Sequence, residues 1–327
     1  MKYINISKIS SLIWASLIIS ISSCNSIENE QNKKSEETIP STATVFYKKK
    51  EIQGVNIFYR EAGNPKKPAL ILWHGFPSSS HQYRKVLAAL GDDYYIIAPD
   101  YPSFGASDYP DPNEFEYTFD HLAEVMDEFL TTFNLPSYTF MMQDYGAPIG
   151  YRIIMKHPKK IKGLIIQNGN IYEEGLGKGW EGIRKIWADN SEKNRIALYD
   201  AFSLEGLKWQ YTHGVKDLNK INPDTWFLDY QRMQRPGIID MNINLFYDYK
   251  NNLKLYPQWQ SFLRKNQPPL LIVWGKNDAF FPESGARAYK EDVKMIDYNI
   301  YDTGHFALEE YGTEIIEKIR RFMNKTS

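Results

Sequence analysis

Apolar residues in this chain gather into short, nearly continuous runs separated by polar turns. Residues 69–73, 138–143 and 270–274 are the clearest, and unbroken runs of that length read as strands covered on both faces. Further strands are expected at 45–50, 55–61, 94–98, 161–167 and 296–301, eight in all. Helical spacing fills most of the gaps, as in residues 121–130, where Leu122, Val125, Met126 and Phe129 recur on one face. Strands alternating with helices predict an α/β architecture, a mostly parallel eight-stranded sheet with helices on both faces. Residues that do chemistry should then collect at the carboxyl ends of the strands. Residues 170–267 interrupt the alternation and are too many for a loop, so they are expected to form a helical lid. That leaves 44–169 and 268–327 as the core.

The N-terminus follows another pattern. Lys2 and Lys8 precede an apolar stretch, 11–21, too short to span a bilayer, which ends in Ser22-Ser23-Cys24. This resembles a bacterial lipoprotein signal, residues 1–24, with Cys24 the lipidated residue, and implies export and a membrane anchor at the cell envelope. Residues 25–43 turn polar and charged and read as a flexible tether.

Composition changes this picture little. The chain has 327 residues, 43% of them hydrophobic, enough for one large core. A net charge of −1 implies no nucleic-acid partner. Aromatic residues crowd between Trp180 and Trp259, in the expected lid, as suits a small apolar substrate. The six histidines show no metal-ligand spacing and no glycine-rich phosphate loop follows a strand, so neither metal nor cofactor is expected.

The chemistry centres on Asp144. The run 138–143 ends at this acid, and Gly146 two residues later opens a helix, which is the layout of a strained strand-to-helix turn that presents a nucleophile. A carboxylate is already ionised at neutral pH and attacks carbon without a base to activate it, which suits an epoxide or an alkyl halide. The competing reading is a helix N-cap. Around it stand three further parts. His74-Gly75-Phe76-Pro77 follows the strand at 69–73 and offers the Phe76 peptide N–H, with that of Tyr145, as an oxyanion hole. Asp278 ends the strand at 270–274, and His305 follows the strand at 296–301. The order nucleophile, acid, histidine makes His305 the general base for water and Asp278 its orienting partner. His74 reads as a structural imidazole.

These motifs, with Ala98-Pro99-Asp100-Tyr101-Pro102-Ser103-Phe104-Gly105-Ala106-Ser107-Asp108, resemble the aspartate-nucleophile branch of the α/β-hydrolases, which holds epoxide hydrolases and haloalkane dehalogenases. The resemblance runs from about residue 42 to the C-terminus and implies the α/β-hydrolase fold and an alkyl-enzyme ester cleaved by water. Two positions depart from it: Met142 stands where the turn usually has a small residue, and Tyr145 where this branch has tryptophan. Phe76 likewise replaces an asparagine that holds halide in some dehalogenases. Epoxide opening to a diol is therefore the leading expectation, with carbon–halogen hydrolysis and a non-catalytic binding protein as alternatives. The resemblance implies two lid tyrosines that hydrogen-bond the epoxide oxygen, and Tyr211 and Tyr247 are the candidates, with Tyr249 in reserve.

Overall fold

The computed structural model describes residues 42–326. The expected leader with Cys24 lies outside them, and of the tether only Thr42 and Ala43 are described.

Eight strands form one sheet: β1 (Val45–Ile52), β2 (Val55–Ala62), β3 (Ala69–Trp73), β4 (Tyr95–Pro99), β5 (Tyr138–Gln143), β6 (Ile161–Gln167), β7 (Leu270–Gly275) and β8 (Ile296–Tyr301). Their spatial order is β1-β2-β4-β3-β5-β6-β7-β8, antiparallel from β1 to β4 and parallel from there to β8. This is the expected sheet, with ends shifted by a residue or two. β1 and β2 run further because Gln53 and Gly54, at φ 51° and 77°, close a two-residue hairpin that keeps Ile52 paired with Val55.

Twelve α-helices are seen among the described residues. The core carries α1 (Arg84–Leu90), α2 (Phe119–Thr131) and α3 (Gly146–Lys156) before the insertion. The insertion holds α4 (Glu181–Ala188), α5 (Glu192–Ile196), α6 (Leu204–Thr212), α7 (Asp224–Arg232), α8 (Ile238–Asp248) and α9 (Lys250–Asn266). The core resumes with α10 (Glu283–Asp292), α11 (Ala307–Glu310) and α12 (Gly312–Thr326).

Side chains on a strand alternate between faces, and here both faces are apolar because both are covered. Leu70, Leu72, Ile96, Met141, Ile165, Leu271 and Val273 pack with Val86 and Leu87 of α1 and Ile315 and Ile319 of α12. Their neighbours Ile71, Trp73, Ile97, Phe140, Met142, Ile166 and Trp274 pack on the other side with α2, α3 and α10. With polar groups kept to the strand ends, the carboxyl ends of β3, β5, β7 and β8 and their exit turns are where Phe76, Asp144, Asp278 and His305 stand.

Candidate active site

Asp144 has φ 50°, a left-handed backbone that a residue with a Cβ adopts at a cost of about 1–3 kcal/mol. Packing holds it there. A Cβ at Gly75 would collide with Asp144 itself, and one at Gly146 with the Trp73 carbonyl, so the turn fits only between glycines. Met142 finds its room one turn into α3, where its sulfur occupies the space a side chain at 150 would fill and Gly150 leaves open. Asp144 is not the N-cap of α3, a position that falls to Tyr145. Its Oδ1 instead accepts the Phe76 peptide N–H at 2.7 Å.

The other oxygen faces His305, with Oδ2 3.9 Å from Nε2. His305 Nδ1 lies 2.7 Å from Asp278 Oδ2, so the imidazole is held through one nitrogen and presents the other to Asp144. Asp278 is itself fixed by the Asn168 amide (2.9 Å) and the Phe280 peptide N–H (2.8 Å). The segment after His305 is clamped as well, because Glu309 takes both guanidinium arms of Arg84 at 2.7 Å.

Burial pushes the Asp144 carboxyl up to about 6, against the opposing pull of His305 and of the Phe76 and Tyr145 peptide N–H groups. Burial alone would lower His305, but the charge and hydrogen bond of Asp278, with the charge of Asp144, outweigh it and hold the imidazole above its ordinary value. His74 behaves differently: buried, stacked on Tyr101 at 4.1 Å and bonded to the Tyr101 peptide N–H, it is pushed down to about 4 and stays neutral.

Two polar residues beside this group were not among the sequence candidates. Gln143 Nε2 lies 2.6 Å from His305 Nε2, and Gln143 Oε1 has no partner among the described residues. The amide can thus donate to a neutral ring or, turned over, accept from an imidazolium. Asn168, at φ 42°, follows β6 as Asp144 follows β5, and its carbonyl takes the Asp144 N–H. A polar residue ending an apolar strand was the available signal for both.

Between the inserted helices and the sheet's carboxyl edge lies a cavity of about 70 Å³, lined by Asp144, His305, Phe76, Tyr145, Gly179, Trp180, Ile183, Leu198, Ala201, Gln210, Phe246 and Phe280. A single water needs roughly 10–15 Å³ on that measure, so the space suits a compact apolar molecule.

Neither expected lid tyrosine lines it. The Tyr211 hydroxyl donates to Asp229 Oδ2 at 2.5 Å, and its ring stacks on Phe306 at 3.9 Å. Tyr247 is half-buried outside the cavity with the Lys250 ammonium 3.4 Å from its ring centre. In each case the preceding residue, Gln210 or Phe246, faces the cavity, since consecutive helical side chains point about 100° apart. The placement of Tyr211 and Tyr247 as oxygen donors is corrected accordingly. Tyr249 is fully buried, its hydroxyl 3.3 Å from that of Tyr256.

Residues 68–311 match the family model described as the α/β hydrolase fold. Over 278 residues the chain is 38% identical to an uncharacterised hydrolase of Saccharomyces cerevisiae, covering 84% of this chain and 95% of that one. It is 23% identical over 298 residues to epoxide hydrolase 2 of Caenorhabditis elegans, covering 85% of this chain and 79% of the relative. Among solved structures, a haloalkane dehalogenase from Bradyrhizobium elkani superposes with a TM-score of 0.70 at 18% identity, covering 86% of this chain and 99% of that one.

Proposed function

The chain belongs to the α/β-hydrolase family and is a hydrolase related to epoxide hydrolases and haloalkane dehalogenases; from that premise we propose that it opens a small apolar epoxide to a diol through an ester to Asp144. The observation that carries the reading is the setting of one carboxylate. Oδ1 rests on the Phe76 N–H, Oδ2 faces His305, and the residue lines an apolar cavity.

In this reading Oδ2 attacks an epoxide carbon and the carbon–oxygen bond breaks. Oδ1 becomes the ester carbonyl oxygen, already seated on the Phe76 N–H with the Tyr145 N–H beside it. Water then attacks the carboxyl carbon, His305 takes its proton, and the charge that develops on Oδ1 falls where those two donors point. Ester formation also primes the base. It removes the Asp144 charge, one of the interactions that hold the His305 imidazolium, so the ring sheds its proton more readily when it must accept one.

The test is turnover in heavy-oxygen water. Because water attacks the carboxyl carbon, label should accumulate in Asp144 over repeated cycles and be found in the peptide that carries it. Turnover with no label there would mean that water attacks the substrate directly. A protein inert to both epoxides and haloalkanes, binding them unchanged, would support the binding reading.

A pH dependence follows as well. Only ionised Asp144 is a nucleophile, and its carboxyl stands at about 6, so the active form is present above that pH and lost below it. The single-turnover rate of ester formation should fall about tenfold per pH unit on the acid side. A rate that stays flat well below 6 would mean that the attacking group is not this buried carboxyl.

A further inference from the structure

The departing atom needs a hydrogen-bond donor as charge collects on it, and the cavity's polar lining narrows the choice. The Trp180 indole N–H is taken by the Phe280 carbonyl at 3.0 Å, and the Tyr145 hydroxyl, though without a partner among the described residues, shows almost no surface from which to meet a ligand. Gln210 is different. It is 5% exposed and lines the cavity with Asp144 and His305, and its amide makes no hydrogen bond among the described residues. Nor is that amide among the fully enclosed orphaned groups, so what surface Gln210 keeps includes its polar end. An amide N–H that meets no acceptor of the protein and keeps surface at the cavity is free to donate to a ligand there.

We propose that Gln210 is the donor to the leaving atom, its amide N–H holding the oxygen or halide that departs from carbon as Asp144 attacks. This rests on the alkyl-ester reading above. In the step, Asp144 Oδ2 bonds to carbon, the bond from carbon to the departing atom breaks, and its electron pair goes to that atom. An amide is far too weak an acid to surrender its proton, so Gln210 stabilises the charge without neutralising it. An epoxide alkoxide then takes its proton from water, the co-substrate, and the hydroxide so formed is neutralised by the proton that His305 later removes from the second water. A halide needs no proton and leaves as the anion.

Wild type and Gln210→Leu, which keeps the bulk and removes the amide, are each mixed with excess butylene oxide or n-butyl bromide and quenched at short times. The mass of the Asp144 peptide reports ester formation, and its decay after dilution reports hydrolysis. The expected result is ester formation slowed about 100-fold in the variant, the cost of deleting one such donor, with the decay rate unchanged within about threefold. Ester formed by the variant at the wild-type rate overturns the assignment, and so does equal slowing of both steps with a lowered melting temperature, which marks a packing role. Wild type that turns over without ever carrying the ester instead overturns the alkyl-ester reading itself, so the two failures are distinct. The substrate that gives the larger effect tells whether oxygen or halide is the atom held.

Discussion

His305→Gln is expected to stop the enzyme after one chemical step, with the substrate left attached to Asp144. The variant should consume about one equivalent of epoxide and then stall, because ester formation needs no base whereas ester hydrolysis does. Loss of the base should slow hydrolysis by about 10²–10⁴-fold. The structure tolerates the replacement. Asp278 would still accept from the Asn168 amide and the Phe280 N–H, so this buried carboxylate is not left bare when the Nδ1 bond is lost. One side effect has a definite sign. His305 holds the Asp144 carboxyl down, so its removal raises that carboxyl further, and the trap must be run well above pH 6. Intact-protein mass gives the adduct, and fragmentation places it. A variant that is slow yet never accumulates ester would show that His305 is needed before the covalent step, which contradicts the role assigned to it.

How far the site was legible in the sequence depends on the kind of geometry involved. Strand ends were readable, because strands buried on both faces are continuous apolar runs and each of β3, β5 and β7 ends in a turn of different composition. Asp144, Asp278 and His305 could thus be placed before any coordinate was known. Rotation about a helix axis was not readable. In α6 the adjacent residues Gln210 and Tyr211 are both buried, so the apolar period cannot say which faces the cavity and which faces α7. Tyr211 goes to Asp229, and the neighbouring amide takes the cavity position. In α8 the adjacent pair is Phe246, which is buried at the cavity, and Tyr247, which is half-buried outside it. Met142 was unreadable for another reason: its partner Gly150 is in plain view in the sequence, but only the packing of α3 on β5 brings the sulfur against it. Gln143 and Asn168 needed strand register, since pairing of Gln143 with Gln167 sets the two following residues side by side.

Asp144→Asn should lose at least about 10⁴-fold in turnover, the scale on which removal of a covalent nucleophile is felt, and should at the same time be more stable than the native protein. The first half follows from chemistry: a neutral amide does not attack an epoxide. The second follows from the environment. Asparagine tolerates φ 50° well, and its carbonyl oxygen can accept the Phe76 N–H as Oδ1 does, so the turn need not change. What changes is the charge. In the native protein the carboxyl rises to about 6 from an unfolded value of about 4, so its ionised form is disfavoured in the fold. A shift of that size corresponds to up to about 3 kcal/mol of stability forgone above pH 6. The sign can be checked by titration. Below about pH 4 the carboxyl is protonated in both folded and unfolded chains, so variant and native protein should melt together. Between there and 6 the difference should open, and above 6 it should stay constant. Thermal unfolding across that range, with activity measured on the same samples, tests both halves. An inactive variant that melts higher at neutral pH would mean the fold tolerates an unfavourable charge at 144 because the reaction requires it. An active one would reduce Asp144 to a turn residue, and the nucleophile would have to be sought elsewhere.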